Sequence, residues 1–112
     1  MECIEKRKLA LFHIWDKYDP DLQFIVFDSP DRLQHKLYCY LDPDEKEYSF
    51  SEAKVMREKA TENYRAIDGV LGDIMNKMDD DTTLIIASDH GFGKLHSYVS
   101  LNLWLAKKGY LK

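Results

Sequence analysis

The chain has 112 residues, which is room for one small domain, a formal net charge of −4, and the 45% hydrophobic and 32% charged content of an ordinary globular protein. The acidic balance argues against a nucleic-acid footprint, and no apolar run approaches the length that crosses a membrane. Cys3 and Cys39 are spaced neither as a zinc knuckle nor as a redox pair, so free thiols in a reducing, cytoplasmic compartment are expected.

The first predicted elements are a helix and a buried strand. Apolar residues recur at helical spacing over residues 2–18, and an Asp-Pro pair ends that helix because a residue before proline avoids helical geometry. The next run, about 22–28, is continuous, apolar and rich in β-branched and aromatic residues, which predicts a strand buried on both faces. Ser29 as N-cap and Pro30 at the first helical position then predict a short helix.

A long helix is predicted next. Its apolar stripe covers about 50–78, and Ser49 with Glu52 would form a capping box at its start. Gly69 and Gly72 lie inside this helix, where each weakens it relative to alanine. Close packing of the helix on a sheet would account for both glycines.

Strand, long helix and strand together make a βαβ unit. The second strand is predicted at about 83–88, parallel to the first and joined to it by a right-handed crossover. Ser100 as N-cap and Gly109 beyond the end frame a last helix at about 100–108. We therefore predict a single, partial α/β domain over residues 1–112, whose open strand edges would join copies of the chain into a homo-oligomer.

An acid and a histidine follow each predicted strand. Asp31 and His35 are four residues apart, so they would project from one face of a helix. Asp89 and His90 are adjacent at a strand end, where both can reach one ion, and Gly91 would let backbone approach a bound group. Because ligands collect beyond the carboxyl ends of parallel strands, all four side chains are expected on one rim. Mixed carboxylate and imidazole ligands favour Zn²⁺, Mn²⁺ or Fe²⁺ over Ca²⁺ or Mg²⁺.

Each of these features has a structural alternative. A lone acid and histidine at a helix start are more often unrelated to each other than ligands of one ion. Asp28 would accept a hydrogen bond from a metal ligand or simply cap the helix, and Arg32 would contact a phosphate or pair with neighbouring acids. His96 is close enough to His90 in sequence to be an extra ligand, although a loop histidine is more often solvated.

Two stretches resemble signature segments of a known enzyme family. They are Phe27–Tyr38, which reads FDSPDRLQHKLY, and Ser88–Phe92, which reads SDHGF. Both look like segments of the type I phosphodiesterase/nucleotide pyrophosphatase family of the alkaline-phosphatase superfamily, and Leu101–Leu105 is similar to the segment that follows in its prokaryotic members. The resemblance implies part of a three-layer α/β core, hydrolysis of phosphodiester or pyrophosphate bonds, and a small phosphate-ester or nucleotide substrate.

The resemblance also implies two divalent metal ions, zinc or manganese, and assigns ligands to them. Asp31 and His35 would hold one ion, and Asp89 with His90 would hold the other. The Thr or Ser nucleophile of the family pattern, an earlier aspartate and a later histidine have no counterpart here, so a fragment of a larger hydrolase domain is expected. The alternatives are a phosphomutase, phosphatase or sulfatase of the same superfamily, or a catalytically silent fragment that folds and self-associates.

Overall fold

The computed structural model describes residues 2–111, and its first helix, α1, spans Glu2–Tyr18. The helix predicted at 2–18 is therefore confirmed. Ile4 and Leu11 lie two helical turns apart and are its buried residues, as an amphipathic helix requires. The helix ends where Asp19 takes a φ of 43°, a left-handed conformation directly before a proline.

Helix α2 spans Ser29–Leu41 and begins close to the predicted place, with Pro30 in its first turn. Asp28 rather than Ser29 occupies the N-cap position, so the predicted cap is wrong by one residue. The Ser29 hydroxyl instead donates to Asn63 Oδ1 at 3.2 Å. This hydrogen bond joins the start of α2 to a buried polar side chain of the long helix that follows.

That long helix, α3, spans Ala53–Lys77, and a short 3-10 helix, Lys46–Ser49, separates it from α2. Arg57 of α3 holds the junction together. Its Nη1 donates to the carbonyl of Tyr40 at 3.1 Å and to the carbonyl of Tyr48 at 2.9 Å. The end of α2 and the 3-10 helix are thereby fixed to the same turn of α3.

The start and the glycines of α3 differ from the prediction. Ser49 donates its hydroxyl to the Lys46 carbonyl at 2.9 Å, and Glu52 makes no capping hydrogen bond, so the predicted capping box is wrong. A Cβ added at Gly69 or Gly72 would meet no atom within 4 Å, so packing on a sheet does not account for either. The buried residues of α3 recur at helical spacing and are Ala53, Ala60, Asn63, Val70 and Ile74.

The last helix, α4, spans Leu101–Lys107, which confirms the helix predicted at 100–108 to within one residue at each end. Ser100 is at its N-cap position, and Gly109 has a φ of 80° just beyond its end, both as predicted. Cys3 and Cys39 are both free thiols, also as predicted.

The predicted α/β fold is wrong. No strand and no sheet form in residues 2–111, and the runs at 22–28 and 83–88 are irregular chain without backbone–backbone hydrogen bonds to each other. Side chains that a sheet would bury lie in solvent, since Phe24 is 87% exposed and Ile85 82%. A strand needs another chain to take up its backbone N–H and C=O groups, and an apolar run does not specify that partner. The predicted parallel pairing, the crossover, the three-layer core and association through sheet edges lose their basis with the sheet.

The core of the described chain is formed between helices. Ile4 and Leu11 of α1 pack with Val70 and Ile74 of α3. Half-buried side chains from the helices and from both extended runs surround this cluster: Phe12, Trp15, Ile25, Phe27, Ala66, Ile67, Leu71, Met78 and Leu84. The Cα radius of gyration is 19.7 Å, well above the roughly 13 Å of a compact domain of about 100 residues. The molecule is therefore open, with a small core and much exposed apolar surface.

Candidate metal centre

The first predicted ligand pair lies in the opening turns of α2. Asp31 and His35 are one helical turn apart, and the distance from His35 Nε2 to Asp31 Oδ1 is 3.5 Å. The helix begins here because a proline occupies its first turn, where its missing N–H costs nothing. Both side chains are partly exposed, so a dissolved ion or substrate can reach them.

The second predicted pair, Asp89 and His90, lies on irregular chain that follows the second extended run. His90 Nε2 is 3.9 Å from Asp31 Oδ1 and 3.8 Å from Asp89 Oδ2. The Asp31 carboxylate thus lies between the imidazoles of His35 and His90. His90 of the second motif lies beside Asp31 of the first, but not by the predicted route, since no sheet forms in the described residues.

The Asp31 carboxylate provides a test of whether a cation fits here. Its Oδ1 atom is buried without a hydrogen-bond partner in residues 2–111, although the side chain as a whole is partly exposed. Buried polar atoms are nearly always paired, so an orphaned carboxylate oxygen beside imidazole nitrogens suits a cation. Two ligands of a tetrahedral zinc ion, each about 2.1 Å from it, lie about 3.4 Å apart. The separation of 3.5 Å between Asp31 and His35 matches this value, and the 3.9 Å to His90 is wider.

The four side chains do not converge on one point. Within residues 2–111, no three Asp, Glu, His or Cys side chains are grouped so that they could hold one metal ion. In the second motif, Asp89 does not approach the other ligands, because its side chain is 90% exposed and contacts only His90. The residue types therefore suit a metal ion, and they lie together as pairs. A complete set of ligands requires further donors or a movement of Asp89.

The orientation of the His90 imidazole is set by its own backbone. Its Nδ1–H donates to the Gly91 carbonyl at 2.8 Å, which leaves Nε2 facing Asp31. The Ser88 hydroxyl donates to the His90 carbonyl at 2.6 Å and steadies the same turn. The Gly91 carbonyl raises the pKa of His90, and the negative charge of Asp89 raises it further.

Asp28 and Arg32 form a separate ion-pair network. Arg7 of α1 pairs with the Asp28 carboxylate and donates to the Val26 carbonyl at 2.8 Å, while Arg32 Nε lies 2.7 Å from Asp28 Oδ2. The hydrogen bond from Arg7 is the largest cause of a lowered pKa of Asp28, and Arg32 lowers it further. Arg32 thus pairs with a neighbouring acid. Sequence reasoning missed Arg7, because a helical arginine facing a residue so far along the chain has no local signature.

The two remaining candidates lie in solvent. Gly91 is exposed, and a Cβ added to it would meet no atom within 4 Å, so no close approach of protein backbone requires glycine there. His96 is exposed and belongs to no cluster of ligand-type side chains in the part of the chain that the structure describes.

The chain belongs to the type I phosphodiesterase / nucleotide pyrophosphatase family, whose pattern matches residues 2–112. The family resemblance seen in the two motifs is thereby confirmed. Membership indicates a hydrolase related to phosphodiesterases and pyrophosphatases, in a family that is generally metal-dependent and acts on phosphate esters and nucleotides. No curated protein and no solved structure shows a significant match to the chain. No helix in residues 2–111 has the length and apolar character needed to cross a bilayer, and the cytoplasmic location stays a prediction.

Proposed function

We propose that this chain supplies metal ligands to the active centre of a phosphodiester or pyrophosphate hydrolase. The observation that carries the proposal is the Asp31 carboxylate oxygen, which is buried, has no hydrogen-bond partner in the described residues and faces two imidazole nitrogens at 3.5 and 3.9 Å. Family membership supports the reaction class, a phosphate ester or nucleotide being the substrate.

Each side chain has a distinct task in this proposal. Asp31 and His35 hold one divalent ion, and Asp89 with His90 holds a second, zinc and manganese being the metals suited to such ligands. When bound, such ions act as Lewis acids that activate a hydroxyl nucleophile and stabilise charge on the phosphoryl oxygens. His90 keeps its proton on Nδ1 through the Gly91 carbonyl, so Nε2 is the nitrogen available for binding.

A second candidate function is a metal-binding chain without turnover. Two observations favour it: the carboxylate of Asp89 is almost fully exposed, and the serine hydroxyls nearest in sequence to the two motifs are already hydrogen-bonded. Ser29 donates to Asn63, and Ser88 donates to the carbonyl of His90. Neither is poised as a nucleophile, so turnover would need a hydroxyl from elsewhere.

Calorimetric titration with Zn²⁺ and Mn²⁺ tests metal binding, and release of nitrophenol from bis(p-nitrophenyl) phosphate tests turnover. We expect saturable binding that Asp31→Ala abolishes and that Asp80→Ala, which removes an exposed acid from the turn after α3, leaves unchanged. Equal binding by wild type, Asp31→Ala and Asp80→Ala would overturn the proposed site. Turnover that is lost in Asp89→Ala would establish the hydrolase, whereas stoichiometric metal without turnover would favour the second candidate.

A further inference from the structure

Phe92 differs from every residue around it. From residue 88 to residue 100 all other side chains are exposed, and Phe92 alone is half-buried. An irregular segment that buries a single aromatic ring is attached to the rest of the molecule at that ring, since burial of apolar area is the main favourable term.

The Phe92 ring lies against α2 beside the candidate metal centre. It meets the His35 imidazole edge to face, with centroids 4.9 Å apart and planes at 83°, and it meets the Tyr38 ring at 5.4 Å. These two residues are three apart on the helix, so they form one surface for the phenyl ring. Phe92 therefore touches a proposed ligand directly.

A second contact holds the same segment two residues further along. Lys94 Nζ lies 2.7 Å from Glu45 Oε1, between α2 and the 3-10 helix. The hydrogen bond that Lys94 donates to Glu45 is the largest cause of a raised pKa of Lys94. This pair is partly exposed, so the aromatic contact is the stronger of the two attachments.

The position of His90 follows from that attachment. Phe92 comes two residues after His90, and two residues of chain span at most about 7 Å. With the phenyl ring fixed on α2, the backbone of His90 stays within that reach of the helix, and its imidazole can lie beside Asp31. The direct contact of His90 with Asp31, at 3.9 Å between partly exposed groups, is too weak to hold the segment alone.

We propose that Phe92 is a positioning residue that seats the Asp89–His90 segment on α2 and orients the His35 ring, so that the two ligand pairs face each other. Its consequence for metal affinity rests on the proposed function, but the seating itself does not.

The test compares Phe92→Leu and Phe92→Tyr with Leu95→Ala, a truncation of an exposed apolar side chain in the same segment. The first readout is the pair of His35 imidazole C–H chemical shifts, measured without metal at one fixed pH for all variants. We expect these signals to move in Phe92→Leu, which removes the aromatic ring current but keeps the apolar bulk, and to return towards wild type in Phe92→Tyr. They should not move in Leu95→Ala. Identical His35 shifts in wild type and Phe92→Leu would overturn the seating.

The second readout is Zn²⁺ affinity by calorimetry, with Phe92→Ala added. We expect the Kd to rise at least tenfold in Phe92→Ala and to stay within twofold of wild type in Phe92→Tyr and Leu95→Ala. An unchanged Kd in Phe92→Ala would overturn the functional consequence. If wild type itself binds no Zn²⁺ while the His35 shifts respond as expected, the seating stands and the proposed function fails, so the two failures are distinguishable.

Discussion

Truncation of Ile4 is the sharpest test of a core formed between α1 and α3. Ile4 is 1% exposed and belongs to the cluster with Leu11, Val70 and Ile74, whereas Leu9 of the same helix is 68% exposed. Ile4→Ala removes apolar groups from the best-buried position of α1, and Leu9→Ala removes a similar volume from its outer face. The pair therefore separates burial from helix propensity.

The expected size of the effect follows from the surroundings of Ile4. Buried Ile→Ala substitutions cost about 2–5 kcal/mol, the higher values belonging to rigid sites that cannot collapse. Only a few fully buried residues surround Ile4 and the molecule is open, so its neighbours can relax into the space. We expect a loss of about 2–3 kcal/mol in the free energy of unfolding, or about 8–12 °C in Tm. Leu9→Ala should change the free energy of unfolding by no more than about 0.5 kcal/mol.

Urea unfolding followed by circular dichroism at 222 nm measures both variants. A difference of less than about 0.5 kcal/mol between Ile4→Ala and Leu9→Ala would refute the packing of α1 on α3. A loss near 5 kcal/mol would refute the reasoning about relaxation, because it would show a rigid site.

Three further predictions concern backbone and charge. Gly69→Ala should raise the free energy of unfolding by about 0.5–1 kcal/mol, because the helical site has room for a Cβ. Gly109→Ala should lower the free energy of unfolding, because φ at Gly109 is 80°. Urea unfolding measures both variants, and equal effects would contradict the assigned conformations. The pKa of His90, measured by NMR titration, should lie above its usual range and fall in Asp89→Asn. Because the folded pKa is raised, the stability that protonated His90 contributes is complete below about pH 6.5 and is lost as pH rises through the folded pKa. A wild-type pKa below about 6.5 would contradict this prediction. The pKa of Asp28 is lowered chiefly by the arginine of α1, so its contribution is present above about pH 3.9 and lost as pH falls through the folded pKa; Asp28→Asn should flatten the acid limb of the stability profile, and an unchanged limb would count against the ion pair.

Local patterns predicted the helices and failed on the strands, for a physical reason. The helices at residues 2–18 and 53–77 depend on hydrogen bonds and side-chain contacts within one segment. Their apolar periodicity can therefore be recognised from the sequence alone. The runs at 22–28 and 83–88 indicate only that the chain is apolar and prefers extension. Whether a strand forms depends on a partner elsewhere, and no backbone hydrogen bond joins these two runs within the described chain.

The candidate site shows the same division. The spacing of Asp31 and His35 on one helix face was readable from sequence, and the structure places them one turn apart. The nearness of His90 to Asp31 was predicted from a sheet that does not form in the described residues, and the contact that accompanies it is made by Phe92. A ring meeting a helix more than fifty positions earlier leaves no periodic trace in the sequence.

The irregular run at 22–28 has a consequence for how the protein withstands digestion. Proteases bind chain that no helix or sheet holds, and Phe24 presents an accessible aromatic side chain in such a segment. Chymotrypsin should therefore nick the chain between α1 and α2 well before it attacks Phe12, which lies within α1 and packs on the core. A cut there would separate α1 from the helices that carry the metal-binding candidates. Core packing and the ion pairs of Arg7 with Asp28, Lys8 with Asp73 and Asp16 with Lys77 would be left to hold the two pieces together.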